Sequence, residues 1–158
     1  MATVTLQFSN KKAMSWIKKM QISIKSIKTM KKSYAEMVSA FVFQDIMDHF
    51  EKEMGSKGRW KRWSDAYDEH MLKIGKGANN ILQDTGKLRQ SFVPTNYRRE
   101  GAKIVWFNNA KTAKGFPYAA AHDKGGGRLP KRDFMWLSKD AKKDIRDATL
   151  KFIGEGKK

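Results

Sequence analysis

The triplet Asp84–Thr85–Gly86, inside the segment ILQDTGKLRQSF, is the first place where residue types and spacing could do chemistry. An Asp-Thr-Gly triplet carries the acid of aspartic proteases, in which two carboxylates share one proton inside a β-rich fold. The chain has a single such triplet, in basic and helix-like surroundings. We therefore favour a structural interpretation, in which Asp84 or Thr85 binds the local backbone and Gly86 turns the chain.

The three histidines do not form a recognisable catalytic or metal-binding pattern. His49, His70 and His122 stand in separate segments, and no pair has the spacing of two ligands on one helix face. His122 and Asp123 could orient a general base, but no nucleophile elbow accompanies them. The segment DKGGGR lacks the Gly-Lys-Ser/Thr ending of a phosphate-binding loop. The chain has no cysteine, so neither a disulfide nor a thiolate metal site is possible. We expect no enzyme activity, no catalytic residue, no cofactor and no metal.

The charge is strongly positive and unevenly distributed. The 158 residues carry a formal net charge of +17, which attracts nucleic acid, acidic protein surfaces and anionic lipid alike. Residues 1–32 contain eight lysines and no acid, whereas acidic residues follow directly between Glu36 and Glu53. This asymmetry could pair neighbouring copies head to tail. No apolar run approaches the roughly 18 residues of a membrane span, so no membrane partner is expected.

Aromatic and basic residues alternate in the segment GSKGRWKRW, which predicts an exposed binding surface. Such a surface can neutralise phosphates and stack on bases, and Trp106 could contribute to it. Zinc-finger, RNA-recognition and helix-turn-helix signatures are absent from the sequence, so nucleic-acid binding is the alternative rather than the leading function. The candidates for a protein interface or a DNA channel are Lys57, Arg59, Trp60, Lys61 and Arg62.

Periodicity predicts the elements of the first part of the chain. Val4, Leu6 and Phe8 alternate with polar residues as in a short strand. Between residues 11 and 54 there is no proline or glycine, and apolar residues recur at helical spacing. We expect one long helix there, or two helices joined near residues 31–33. Within it, the segment QISIKSIK also alternates as a strand would.

The second part of the chain predicts a hairpin and a final helix. The runs LRQSFVPTNYR and AKIVWFNNA indicate two antiparallel strands, the first beginning just after Gly86. The segment FPYAAAHDKGGGRLPKRDFMWLS predicts an extended loop that leads into another short strand. Ser138 resembles a helix cap before an amphipathic helix, and residues 155–158 form a predicted disordered tail. The expected architecture is one α+β domain, 1–158, with a long N-terminal helical segment and a C-terminal helix packed on a small, mainly antiparallel sheet.

Taken in order, these motifs resemble the phage virion-morphogenesis family, which includes tail-completion and tail-terminator proteins of tailed bacteriophages. The resemblance rests on GSKGRWKRW after a long helix, ILQDTGKLRQSF, a hairpin ending in VWFNN, PYAAAHDKGG, and LPKRDFMWLS before the last helix. It implies a structural subunit of the virion, made in the host cytoplasm, which forms a sixfold ring at the tail end or head–tail junction. The implied partners are further copies of the chain, other tail or neck proteins and, in passing, genomic DNA.

The resemblance also assigns structural roles to individual residues. The family pattern Leu-x-x-Thr-Gly-x-Leu-x-x-Ser corresponds to Leu82, Thr85, Gly86, Leu88 and Ser91. Two further patterns correspond to Tyr118, Ala119, His122 and Gly125, and to Pro130, Arg132 and Phe134. The resemblance implies that the first pattern shapes the junction between the helical part and the sheet and carries no catalysis. The sequence departs from the pattern at Asp133, where proline is usual and a looser start of the following strand is expected, and in its lysine-rich N-terminal third.

Overall fold

The computed structural model describes residues 2–7, 32–76, 80–100, 103–108, 110–126 and 129–155. The helices are α1 (Lys32–Lys52), α2 (Asp65–Lys73), α3 (Lys87–Gln90), α4 (Tyr118–Lys124) and α5 (Lys139–Glu155). The strands are β1 (Ala2–Gln7), β2 (Met54–Gly55), β3 (Gly58–Arg59), β4 (Tyr97–Glu100) and β5 (Lys103–Asn108). This combination of helices and small antiparallel sheets confirms the predicted α+β class.

The larger sheet brings the two halves of the chain together. Its strand order is β1-β5-β4, and both pairings are antiparallel. Val4 lies opposite Trp106 and Leu6 opposite Ile104, so the alternating pattern at the start of the sequence correctly predicted a strand. The pairing of β4 with β5 likewise confirms a hairpin, although its first strand begins at Tyr97 rather than just after Gly86.

Helix α1 provides the long apolar stripe on which the core is built. Tyr34, Val38, Val42, Ile46 and Phe50 follow one another at intervals of four residues, and all five are buried. Residues four apart lie on one face of a helix, so this stripe packs against several elements at once. The predicted helix is confirmed over Lys32–Lys52, while the part predicted for residues 11–31 lies outside the described residues.

A polar contact fixes the sheet against this helix. The Trp106 indole nitrogen donates a hydrogen bond of 2.9 Å to the Ser39 hydroxyl oxygen, and both residues are almost fully buried. The Ser39 hydroxyl in turn donates to the Pro94 carbonyl oxygen, just before the hairpin. Buried polar groups need such partners, so this relay fixes the position of the hairpin relative to α1.

The predicted start of the first hairpin strand is wrong, and so is the predicted strand after Pro130; both differences have local physical explanations. The residues after Gly86 form α3, a helical turn in which the Ser91 hydroxyl donates to the Leu88 carbonyl oxygen at 2.6 Å. No strand forms among the described residues 129–138. There the Asp123 carboxylate accepts hydrogen bonds from the backbone nitrogens of Phe134 and Met135, at 3.0 and 3.1 Å. A side chain thus satisfies the donors that a neighbouring strand would otherwise satisfy.

The expected loop at residues 116–124 is partly wrong as well, because Tyr118–Lys124 is a helix. Its Ala119 and Ala120 are buried, and small side chains allow a short helix to pack closely against its neighbours. The predicted start of the final helix is correct: the Ser138 hydroxyl accepts a hydrogen bond of 3.0 Å from the Ala141 backbone nitrogen. Glu155 still lies within α5, and residues 156–158 lie outside the described part.

Replacing Ser138 by alanine should destabilise the protein by about 1 kcal/mol, because one backbone donor in the first turn of α5 loses its acceptor. Ser138→Asn restores an uncharged acceptor beside the buried Asp45 carboxylate and serves as the control, with stability close to that of the original protein. Urea unfolding followed by circular dichroism measures both values. Equal losses for the two variants would show that the cap is not the cause.

Candidate functional site

A basic groove with a volume of about 960 Å³ is the candidate site. Its walls come from the segment before α2, the corner before α3, residues 111–113, helix α4 and the segment 129–132. Residues of all three family-like motifs line it, namely Leu82, Thr85, Leu88, Tyr118, His122, Pro130 and Arg132. The remaining motif residues lie outside its lining, and these are Gly86, Ser91, Ala119, Gly125 and Phe134.

The corner that contains Asp84 is held by contacts to the end of α1. The Gln83 side-chain amide donates to the Phe50 carbonyl oxygen at 2.8 Å, and the Ile81 backbone nitrogen donates to Glu53 at 2.7 Å. The first contact satisfies one of the carbonyl groups that a helix leaves open at its end. Asp84 itself is exposed and forms an ion pair of 2.9 Å with Lys76. The backbone contacts that hold the corner thus come from Gln83 and Ile81, and the predicted backbone bond of Asp84 or Thr85 stays a prediction.

Two residues near this corner adopt left-handed backbone conformations. Gly86 has a φ of +68°, which glycine adopts without steric cost. Leu82 has a φ of +62°, which costs about 1–2 kcal/mol for a residue with a side chain. Leu82 therefore keeps this conformation because its surroundings fix it, and its half-buried side chain lines the groove.

Arg132 joins two walls of the groove from a buried position. Its guanidinium Nε and Nη2 donate to the Lys61 carbonyl oxygen at 3.1 and 3.0 Å, and its backbone nitrogen donates to the His122 carbonyl oxygen at 2.9 Å. The residue is only 5% exposed, and this burial lowers the pKa of the guanidinium from its usual range. A forked donor of this kind fixes backbone geometry, so Arg132 positions the loop that carries the exposed Lys61 and Arg62.

Two effects lower the pKa of His122. Burial lowers the pKa of its imidazole below the ordinary value of 6.5, and the positive charge of Arg132 lowers it further. Its Nδ1 is buried and has no hydrogen-bond partner among the described residues. Within the same part of the chain, no group of three or more histidines and carboxylates is arranged to hold a metal ion.

The rim of the groove is cationic. Lys61, Arg62, Lys87 and Lys111 are exposed at its edge, and Asp84 is the one acid among its described lining residues. Lys61 and Arg62 were predicted from the sequence as interface residues, whereas Lys87 and Lys111 were not. These two lysines stand in segments distant from Lys61, so only the fold shows that they share an edge.

The prediction of an exposed tryptophan surface is wrong for Trp60 and Trp106. Trp60 is 5% exposed, donates to the Asp133 carbonyl oxygen at 3.0 Å and packs edge-on against Phe50. Trp106 is 3% exposed. Neither ring can stack on a base. Strands β2 and β3 form a tight hairpin that turns Lys57 outward and leads the chain back into the core at Trp60.

Asp133 does not loosen its segment as the sequence suggested. Burial alone would raise the pKa of its carboxyl group, but hydrogen bonds from Ser56 outweigh this effect and lower the pKa. The Ser56 backbone nitrogen donates at 3.2 Å, and the Ser56 hydroxyl also donates to the same oxygen. Asp133 thus ties its segment to the β2–β3 turn.

A comparison of the chain with protein-family models, with curated proteins and with solved structures finds no match. The family resemblance therefore stays a prediction. Among the described residues, none of the helices has the length and apolar character needed to cross a membrane.

Gly125→Ala should destabilise the protein more than Gly86→Ala. Both glycines have positive φ, but an added Cβ at Gly125 would lie 2.7 Å from the Lys131 backbone nitrogen, whereas at Gly86 it meets a flexible Gln90 side chain at 3.1 Å. We expect a loss of about 1–2 kcal/mol at Gly86, and about 1–3 kcal/mol more at Gly125. Gly86→Asn is the control: asparagine adopts the left-handed conformation more readily than alanine, so this variant should lose less stability than Gly86→Ala. Thermal and urea unfolding rank the variants, and a reversed order would contradict the argument.

His122→Gln should make stability less sensitive to acid. The unfolded chain binds a proton at about pH 6.5, whereas folded His122 binds it only at lower pH, so the free energy of unfolding decreases as the pH falls below 6.5. Without His122 this contribution disappears. The measurement is the change in unfolding temperature between pH 7 and about pH 5 for both proteins. His49 and His70 are present in both, so their contributions cancel, and identical pH dependence would refute the assignment.

Proposed function

We propose that this protein is a structural subunit of a tailed-bacteriophage virion, acting in tail completion, tail termination or head–tail connection as part of a ring. The observation that carries the proposal is the convergence of three separated family-like motifs on one groove and its supports. Several of their side chains pack in the core or join separate segments, as Phe134 and Arg132 do. Ser91, for example, accepts a hydrogen bond of 2.8 Å from Asn108 and so joins α3 to β5.

This arrangement supports a structural role more than a catalytic one. His122 has no hydrogen-bonded carboxylate or nucleophile among the described residues, and Asp84 is paired with Lys76 at the surface. Proton transfer in a catalytic site needs such partners within hydrogen-bond reach. Asp84 and His122, which first suggested chemistry, instead lie in or beside segments without regular secondary structure.

A ring of identical subunits needs two different complementary surfaces on each copy. One candidate is the basic hairpin and following segment, where Lys57, Arg59, Lys61 and Arg62 are exposed. Another is the face of α5 that carries the exposed Asp140 and Asp144, four residues apart. Asp147, the third acid on this face, is paired with Arg146 at 3.0 Å. Opposite charges on the two surfaces favour head-to-tail association and oppose pairing of like surfaces.

Nucleic-acid binding is the second candidate function. It is favoured by the net charge of +17 and by two aromatic residues beside the basic rim, Trp63 and Tyr67. Their ring centroids lie 5.4 Å apart in an edge-on contact. The burial of Trp60 and Trp106 weakens it, because two of the expected stacking platforms are not accessible.

Charge reversal at Lys57, Arg59 and Arg62 to glutamate should abolish ring formation while the subunit stays folded. All three side chains are exposed, so their replacement disturbs no core contact. Light scattering on the purified proteins should show an assembly of about six copies for the original chain, as expected of a closed ring, and a smaller species for the variant. Circular dichroism confirms folding.

The matched control reverses three exposed lysines elsewhere, Lys103, Lys114 and Lys124, and changes the net charge equally. Its assembly should be preserved. If the original protein is a monomer both alone and with tail-tube protein, the ring proposal fails. Tight DNA binding that falls steeply with salt, together with normal assembly of the first variant, would favour the nucleic-acid alternative.

A further inference from the structure

The basic groove has a shape and lining that suit a chain segment rather than a small molecule. Its volume of about 960 Å³ lies at the upper end of ligand sites, and its walls come from five separate segments. Leu82, Leu88, Leu129 and Pro130 give it an apolar lining. Apolar surface of this kind gains free energy when a partner side chain removes it from water.

The four cations at the rim have no ion-pair partner within the part of the chain that the structure describes. Lys76, by contrast, is paired with Asp84 at 2.9 Å, which leaves the single acid of the lining engaged. Lys61, Arg62, Lys87 and Lys111 therefore present uncompensated positive charge around an apolar lining. The complementary ligand carries carboxylates on both sides of an apolar group.

The groove is also preorganised. Arg132 holds the Lys61 carbonyl oxygen with two hydrogen bonds, Gln83 holds the corner to the end of α1, and Leu82 is fixed in a strained conformation. Walls that are already fixed cost little conformational entropy on binding, so modest contacts suffice for measurable affinity.

We propose that this groove binds an extended acidic peptide segment of a partner protein, with an apolar side chain inserted among Leu82, Leu88 and Leu129. Peptide is favoured over single-stranded nucleic acid because three aliphatic side chains, Leu82, Leu88 and Leu129, line the groove, whereas base stacking requires flat aromatic faces. The aromatic lining residues are Trp63, Tyr67 and the half-buried Tyr118. Trp63 and Tyr67 already contact each other at an interplanar angle of 69°. This binding does not require that the protein belong to a virion, since it rests on the groove alone.

The test uses fluorescein-labelled peptides of sequence EEDXEDE, in which X is leucine, phenylalanine, tryptophan or serine. Fluorescence anisotropy with the full-length protein should give dissociation constants below about 100 μM for at least one apolar X. The peptide with serine at X should bind about tenfold more weakly than the best peptide with an apolar X, because serine leaves the apolar lining exposed to water. A ten-residue oligothymidylate at the same salt concentration is the nucleic-acid probe.

The groove variant is Lys87→Glu with Lys111→Glu, both exposed and both outside the hairpin assigned to ring formation. It should weaken binding of the apolar peptides at least about tenfold. The control, Lys103→Glu with Lys124→Glu, should bind them within about twofold of the original protein. Because ring assembly is measured separately by light scattering, failure of one proposal is distinguishable from failure of the other.

Three results would overturn the inference. The first is binding of all four peptides with equal affinity, or of none. The second is equal weakening by the groove and control variants, which would reduce the effect to net charge. The third is tighter binding of the oligothymidylate than of any peptide, with loss of that binding in the groove variant, which would assign the groove to nucleic acid.

Discussion

The burial of Phe50 is the contact on which the other parts of the structure depend. Its ring lies 5.2–5.8 Å from those of Trp60, Phe92 and Phe134, which come from three different segments. Helix α1 ends within two residues of this cluster, and its last carbonyl groups are then free to hold the corner through Gln83. Hydrophobic burial thus places the helix end, and hydrogen bonding at that end places the walls of the groove.

Much of the chain around the groove has no regular secondary structure, and side chains replace the missing backbone ladders. Asp123 binds two backbone nitrogens of the segment that leads to α5, Arg132 binds a carbonyl oxygen, and Glu53 binds the nitrogen of Ile81. Because buried backbone groups must be paired, these charged residues are structural components of the irregular walls. Their role explains how loops can form a site with a fixed shape.

The sequence contained those features of the fold that depend on local periodicity and local caps. The alternation around Val4, the apolar stripe of α1 with its spacing of four residues, and the cap at Ser138 all appear as expected. The burial of Trp60 could not be predicted in this way, because its partner Asp133 lies 73 residues away in the chain. The same limit applies to the site: its motif residues were recognisable one by one, but the lysine rim needs the tertiary fold to assemble.

The pairing of β1 with β5 has a consequence for the order of folding during synthesis. Residues 2–7 are synthesised well before their partner strand, which spans residues 103–108, so about a hundred further residues must follow before the sheet can close. Contacts between such distant segments form slowly, since a long loop has to be closed first. The stripe of α1 and the later β4–β5 hairpin are local and can form earlier. Strand β1 is therefore expected to pair late, long after its own synthesis.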